Sequence, residues 1–143
     1  MDDAWETGLV ASDEKLKLDR FATKMINVFD KRIHEVVLLK HNYASILLNT
    51  GTRSGRIYKK TRLGKTHQAS APGEPPKSDL GRLVGSLNTR VTRDANAING
   101  DLTVGTDYAQ GLEYGTSRMA ARPFMRPTLA ALKQKILKKM AGK

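Results

Sequence analysis

One stretch constrains the fold of this chain more than any other. From about Asp13 to Asn49 the apolar residues Leu18, Phe21, Met25, Phe29, Ile33, Val36, Val37, Tyr43, Ile46 and Leu47 recur mostly three or four positions apart. Such spacing lines one face of an α-helix, whereas on a strand it would scatter side chains to both faces. Ser12 can cap the start, with Asp13 and Glu14 favourably placed against the helix dipole. Asn49-Thr50-Gly51 supplies a stop, Gly51 suiting a left-handed position. Unbroken, the helix spans roughly 55 Å at about 1.5 Å per residue. A compact domain of this length is only about 29 Å across. The helix therefore bends near Lys40-His41-Asn42 or projects one end to meet a neighbour.

Residues 51–79 break the pattern. Gly51, Gly55, Gly64, Gly73, Pro72, Pro75 and Pro76 punctuate a stretch poor in apolar side chains. Between Thr52 and Thr66 the cations Arg53, Arg56, Lys59, Lys60, Arg62 and Lys65 stand without an acid. The stretch is expected to be a long basic loop, mobile from Thr52 to Gly73 in the free chain, because it repels itself and has little apolar surface to bury. Ser78 or Asp79 then caps a short helix carrying Leu80, Leu83, Val84 and Leu87.

From Leu87 to Thr106 the period changes to two. A turn at Asn99-Gly100 sets Ala97 opposite Leu102 and Ala95 opposite Val104, with Val91 on the same side. Asn88, Arg90, Thr92, Asp94 and Asn96 then share the other, polar face. Tyr108 to Tyr114 fits a turn or a short helix. Arg122-Pro123-Phe124-Met125-Arg126-Pro127 fits an extended linker, since each proline disfavours helix in the residue before it. Pro127 can open a last helix with Leu129, Leu132, Ile136, Leu137 and Met140 on one face. The expected fold is α+β and a single domain, 1–143. A long N-terminal helix (13–50) and a C-terminal helix pack on a small antiparallel sheet. Residues 1–12 form a flexible arm, 51–79 the long basic loop, and 80–143 the short helix, hairpin and C-terminal helix.

Catalytic chemistry finds no foothold in these residues. The chain has no cysteine, hence no disulfide, thiolate metal site or thiol nucleophile. His34 and His41 share a helix face but lack the spacing of three or four that a zinc pair needs, and no third ligand is near. Gly64-Lys65-Thr66 resembles the end of a phosphate-binding loop, yet Lys59 stands where that loop needs its first glycine. No Ser/His/Asp set or carboxylate pair stands out. The expectation is a protein that is not an enzyme and holds no cofactor or metal. No apolar run approaches the length of a membrane span, and the acidic start Met1-Asp2-Asp3-Ala4-Trp5-Glu6 lacks the apolar core of a secretory leader. Twenty-five basic against 14 acidic residues leave a formal net charge of +11. Such a chain seeks an anionic partner.

Three segments together resemble a known family. They are His67-Gln68-Ala69-Ser70-Ala71-Pro72-Gly73-Glu74-Pro75-Pro76 leading to Ser78-Asp79-Leu80-Gly81-Arg82-Leu83 and Ser86-Leu87; Val104-Gly105-Thr106-Asp107-Tyr108-Ala109 followed by Leu112-Glu113-Tyr114-Gly115-Thr116; and Met119-Ala120-Ala121-Arg122-Pro123-Phe124-Met125-Arg126-Pro127. Their order and spacing, over roughly residues 53 to 135, are similar to the small neck or tail-completion proteins of long-tailed bacteriophages and prophages. The resemblance implies a virion structural protein at the head–tail junction, made in the bacterial host cytoplasm. It implies a ring of copies, six favoured and twelve the other option, between head-completion or connector proteins and the tail-terminator or tail-tube proteins. DNA in the channel would be an incidental contact, and no membrane is involved. The alternatives are a tail-terminator ring or a basic nucleic-acid-binding protein.

For that role the candidate interface residues are Arg53, Arg56, Tyr58, Lys59, Lys60 and Arg62 in the loop, with Glu113, Tyr114, Arg122 and Phe124. Ala-Pro-Gly-Glu-Pro-Pro favours a stiff extended path. Arg122-Pro123-Phe124 sets a guanidinium and a ring on a constrained backbone, a combination enriched at interface centres. Phe124 and Tyr114 equally suit the core beside the hairpin. Glu113 has Arg122 as one conceivable ion-pair partner.

Overall fold

The computed structural model of the chain describes residues 4–59, 66–77 and 81–143, with side chains from residue 13 onward. The fold is α+β. The apolar spacing is realised as α1 (Ala4–Thr50), 47 residues long and so about 70 Å at about 1.5 Å per residue. It starts at Ala4, ahead of the expected boundary at Ser12, so residues 4–12 belong to the helix. Extending a helix that already exists needs no new nucleus, and no proline stands in the way. At the other end the Gly51 N–H donates to the Leu47 carbonyl at 3.0 Å. Gly51 is not left-handed. A Cβ there would stand 2.9 Å from the Leu47 oxygen, which explains the glycine differently.

The C-terminal half of α1 carries the core, with Val36, Val37, Ala44 and Leu48 buried. Against it lies an antiparallel hairpin, β3 (Leu87–Arg93) and β4 (Ile98–Val104). Leu87 pairs with Val104, Thr89 with Leu102 and Val91 with Gly100. The turn is thus at 94–97, closed by the Asp94 N–H donating to the Ala97 carbonyl at 2.8 Å. It is not at Asn99-Gly100, and Ala95 and Ala97 are exposed turn residues. The glycine answers a packing demand instead. A Cβ on Gly100 would stand 2.5 Å from a Val37 methyl and 2.7 Å from an Ile33 methyl, so the strand meets the helix where only hydrogen fits. Asn88, Arg90 and Thr92 do share one face, as the alternation requires.

A second, shorter hairpin occupies the stretch expected to be an irregular loop. β1 (Ile57–Lys59) pairs antiparallel with β2 (Thr66–Gln68). Its base is fixed by Gly55 N–H to Ala69 O at 2.9 Å and Ala69 N–H to Arg56 O at 3.0 Å. Main-chain bonds here replace the apolar anchor that the segment lacks, and Ile57, Tyr58 and Thr66 are good strand formers. The tip, 60–65, lies outside the described residues, as does the cap expected at Ser78 or Asp79.

α2 (Arg82–Gly85) follows Gly81, whose φ is +75°, and Leu87 opens β3 instead of closing that helix. α3 (Ala109–Tyr114) and α4 (Met125–Ala141) complete the chain. α4 packs along α1, held by Arg32 Nη1 to Met140 O at 2.9 Å and by Lys139 Nζ to Glu35 at 2.7 Å. Its covered stripe is narrower than expected. Thr128 and Leu132 are buried and Ile136 and Met140 half-buried, at intervals of four, while Leu129 and Leu137 lie around the helix and are each 55% exposed. Phe124, Leu48 and Leu132 are the largest fully buried side chains. Among the described residues no helix is long and apolar enough to cross a membrane.

Candidate functional site

The first turn of α4 has no cap of its own. Phe124 occupies the N-cap position without a side-chain acceptor, and no acid stands in the first turn. The exposed N–H groups of a helix start need partners, and Glu113 at the end of α3 supplies them. Its carboxylate accepts from the backbone N–H of Phe124 at 2.8 Å, Met125 at 2.9 Å and Arg126 at 3.0 Å. Arg126 adds Nε at 3.1 Å to the carboxylate and Nη2 at 2.8 Å to the Glu113 carbonyl. Burial pushes the Glu113 pKa up, but these donors together outweigh it and hold the carboxyl below its ordinary value. The helix starts at Met125, inside the segment expected to be an extended linker. Pro127 sits in the first turn, where a missing N–H costs little.

The three segments singled out in the sequence meet here. The Arg122 N–H donates to Leu112 O at 2.6 Å, its Nε donates to Ser70 O at 3.1 Å, and the Gly73 N–H donates to Ala121 O at 2.9 Å. Ala71-Pro72-Gly73-Glu74 is a tight turn, not a stiff extended path. The Glu74 N–H donates to Ala71 O at 3.1 Å and Gly73 takes a φ of +82°, the conformation that a Pro-Gly pair favours. The Glu74 carboxylate accepts from the Ser54 hydroxyl and from the Ala71 N–H at 2.8 Å. The Ser54 hydroxyl first and the Ala71 N–H second hold its pKa below the ordinary value. The segments thus fasten one another.

This placement corrects two expectations. Phe124 is fully buried and belongs to the core with Ala44, Leu48, Leu83, Leu87 and Ala109, so its ring offers nothing to a partner. Glu113 pairs with Arg126, because Arg122 is turned to Ser70. Tyr114 is 68% exposed, with the Arg126 guanidinium 5.2 Å from its ring centre. In the shorter hairpin Arg53, Arg56, Tyr58 and Lys59 are exposed, and Arg56 lies 5.8 Å from the Tyr58 ring centre. Lys60 and Arg62 lie outside the described residues.

Two features of the surface are unclaimed by the fold. The N-terminal half of α1 runs beyond the domain with its apolar stripe uncovered. Leu18 is 68% and Phe21 63% exposed, and Leu16, Met25, Ile26 and Phe29 are exposed as well. Ile26, Phe29 and Ile33 form one wall of a groove of about 480 Å³ whose other wall is the 93–98 turn. The stripe was visible in the sequence as helix periodicity. Only the mismatch between helix length and domain width indicated that much of it stays uncovered. The second feature is a groove of about 380 Å³ bounded by α2, α3 and the 67–77 segment. Lys77, Arg82 and Arg122 line it with Tyr108, beside the apolar Pro76 and Leu112, and no described acid does.

Among the described residues no group of three His, Cys, Asp or Glu side chains could hold a metal ion. The three carboxyls with lowered pKa values, Glu35, Glu74 and Glu113, are each engaged by structural donors. Comparison with known proteins finds no matching family model, curated protein or solved structure.

Proposed function

We propose that this chain is a non-catalytic structural subunit of the head–tail junction of a tailed bacteriophage or prophage. It acts there as a ring of identical copies between the head connector and the tail tube. The uncovered stripe on α1 carries this proposal. Apolar residues spaced to line one helix face, yet exposed in the single chain, release water when a neighbour covers them. A ring interface is heterologous, so each copy must offer two different surfaces. A helix that outruns its own domain supplies one of them. The resemblance of residues 53 to 135 to neck and tail-completion proteins supports the head–tail junction as the place of assembly.

A tail-terminator ring is the nearest alternative and shares this logic. A nucleic-acid-binding role draws on Arg53, Arg56 and Lys59, exposed along the shorter hairpin. If the six cations from Arg53 to Lys65 contacted phosphates, log affinity for duplex DNA would fall with log salt at a slope of about −5.

Sedimentation of the full chain tests the proposal. The wild type should form a discrete ring of six or twelve copies, and Leu18→Glu with Phe21→Glu should leave a monomer of unchanged helical circular dichroism. A wild type that stays monomeric at every concentration reached overturns it. So does the absence of the chain from purified particles of the phage that encodes it.

A further inference from the structure

The sequence places its acids unevenly. Asp2, Asp3 and Glu6 precede any base, the first of which is Lys15, in a chain of net charge +11. The dipole of α1 favours acids at its start, but it does not call for the tryptophan between them. Trp5 is the sole tryptophan of the chain. The acidic, aromatic segment complements the groove lined by Lys77, Arg82, Arg122 and Tyr108 beside Pro76 and Leu112, which offers cations and apolar surface together.

The two cannot meet within one chain. The groove adjoins the C-terminal end of α1, where a Cβ on Gly51 would lie 3.6 Å from the Pro75 carbonyl. Ala4 is at the opposite end of a rigid rod about 70 Å long. A contact between them has to form between copies.

We propose that residues 2–6 of one copy dock in the Lys77–Arg82–Arg122 groove of the next, making a directional, head-to-tail contact. This rests on the self-assembly proposed above and names the surfaces that carry it. Opposite charges on arm and groove would orient the approach and raise the rate of encounter. Small, mixed polar and apolar lining suits a short peptide segment better than a duplex backbone, which needs a long cationic track.

Charge swaps on the full-length protein test this. The arm variant is Asp2→Lys, Asp3→Lys, Glu6→Lys; the groove variant is Lys77→Glu, Arg82→Glu. Arg82 is exposed and Lys77 half-buried, and circular dichroism and the thermal midpoint establish that both variants fold. Each variant alone should lose the ring. An equal mixture should recover assembly as alternating rings, because the intact arm of one variant fits the intact groove of the other and the Lys arm fits the Glu groove. Both swaps in one chain should restore the ring. Trp5 fluorescence should shift to shorter wavelength when the wild type assembles, and the groove variant should lose that shift.

Rings that form equally well in both variants, or a Trp5 shift untouched by the groove variant, overturn the arm–groove contact and leave self-assembly standing. A wild type that never assembles overturns both. Duplex DNA binding that the groove variant abolishes, with assembly unchanged, assigns the groove to nucleic acid and overturns the proposal.

Discussion

The Phe124 amide donates to the Glu113 carboxylate at 2.8 Å, so a residue in α3 satisfies the first free N–H groups of a helix that starts twelve positions later. The same carboxylate serves Met125 and Arg126. One side chain therefore sets where α4 begins and fixes it to α3, while Phe124 itself seals the core beneath. The arrangement supplies a negatively charged partner for a helix N-terminus that has no side-chain cap of its own.

Replacing Glu113 by alanine should destabilise the fold by about 2–3 kcal/mol, combining a lost cap with lost charge-assisted bonds. Glu113→Gln should fall between, since it keeps an acceptor oxygen but turns an NH2 toward donors. The urea midpoint should drop at an unchanged slope, because the area exposed on unfolding is the same.

Acid should act through the same group. Glu113 has a lowered pKa in the folded chain, so its contribution is complete above the unfolded glutamate pKa, about 4.3. It is lost as pH falls through the lower folded value. Stability should hold from neutral pH to about 5 and then decline. Glu113→Gln should decline less, so the gap between it and the wild type should close in acid. A gap that stays constant to pH 3 would contradict this assignment.

Phe124 and Tyr114 should separate cleanly. Phe124→Ala removes a fully buried ring and should cost about 3–5 kcal/mol. Tyr114→Ala removes a mostly exposed ring stacked on Arg126 and should cost under about 1 kcal/mol. Paired thermal melts decide the matter, and an unaltered melt for Phe124→Ala would return that residue to the surface.

Two glycines should respond with opposite sign. Nothing lies within 4 Å of a Cβ built on Gly85, and its φ is not positive. Gly85→Ala should therefore stabilise by about 0.4–1 kcal/mol through the unfolded state. Gly100→Ala forces a methyl onto Ile33 and Val37 and should destabilise by about 1–3 kcal/mol. Denaturation midpoints of the two variants, measured together, give the comparison.

These cases show which parts of the fold are legible in the sequence. The two long helices announce themselves because periodicity is a local property repeated many times. The β3–β4 hairpin is legible as an alternation, but Asn99-Gly100 points to the wrong turn because that dipeptide has two uses. Here the glycine admits the Ile33 and Val37 side chains, a demand from a helix more than sixty residues earlier in the chain that no local pattern carries. Glu113 stands out in the sequence, but its partner does not, for the same reason. Its donors are backbone groups, which every residue but proline possesses and no sequence pattern distinguishes. Phe124 in an Arg-Pro-Phe segment has the composition of an interface anchor, and only the packing of α1 and α4 decides that it is core. The shorter hairpin leaves no pattern in the sequence because its pairing rests on main-chain bonds and not on apolar side chains.

The attachment of α4 to α1 joins residues far apart in the chain, with Lys139 to Glu35 separated by 104 positions and Arg32 to Met140 by 108. During synthesis at about 5–20 residues per second, α1 is complete roughly 5–20 s before the helix that covers it has been made. Until the β3–β4 hairpin and then α4 have been made, even the residues that end up buried, Val36, Val37, Ala44 and Leu48, stand on an open face. The nascent chain is then a natural client for a chaperone that binds apolar helices, and slowing translation after α1 should lengthen that dependence.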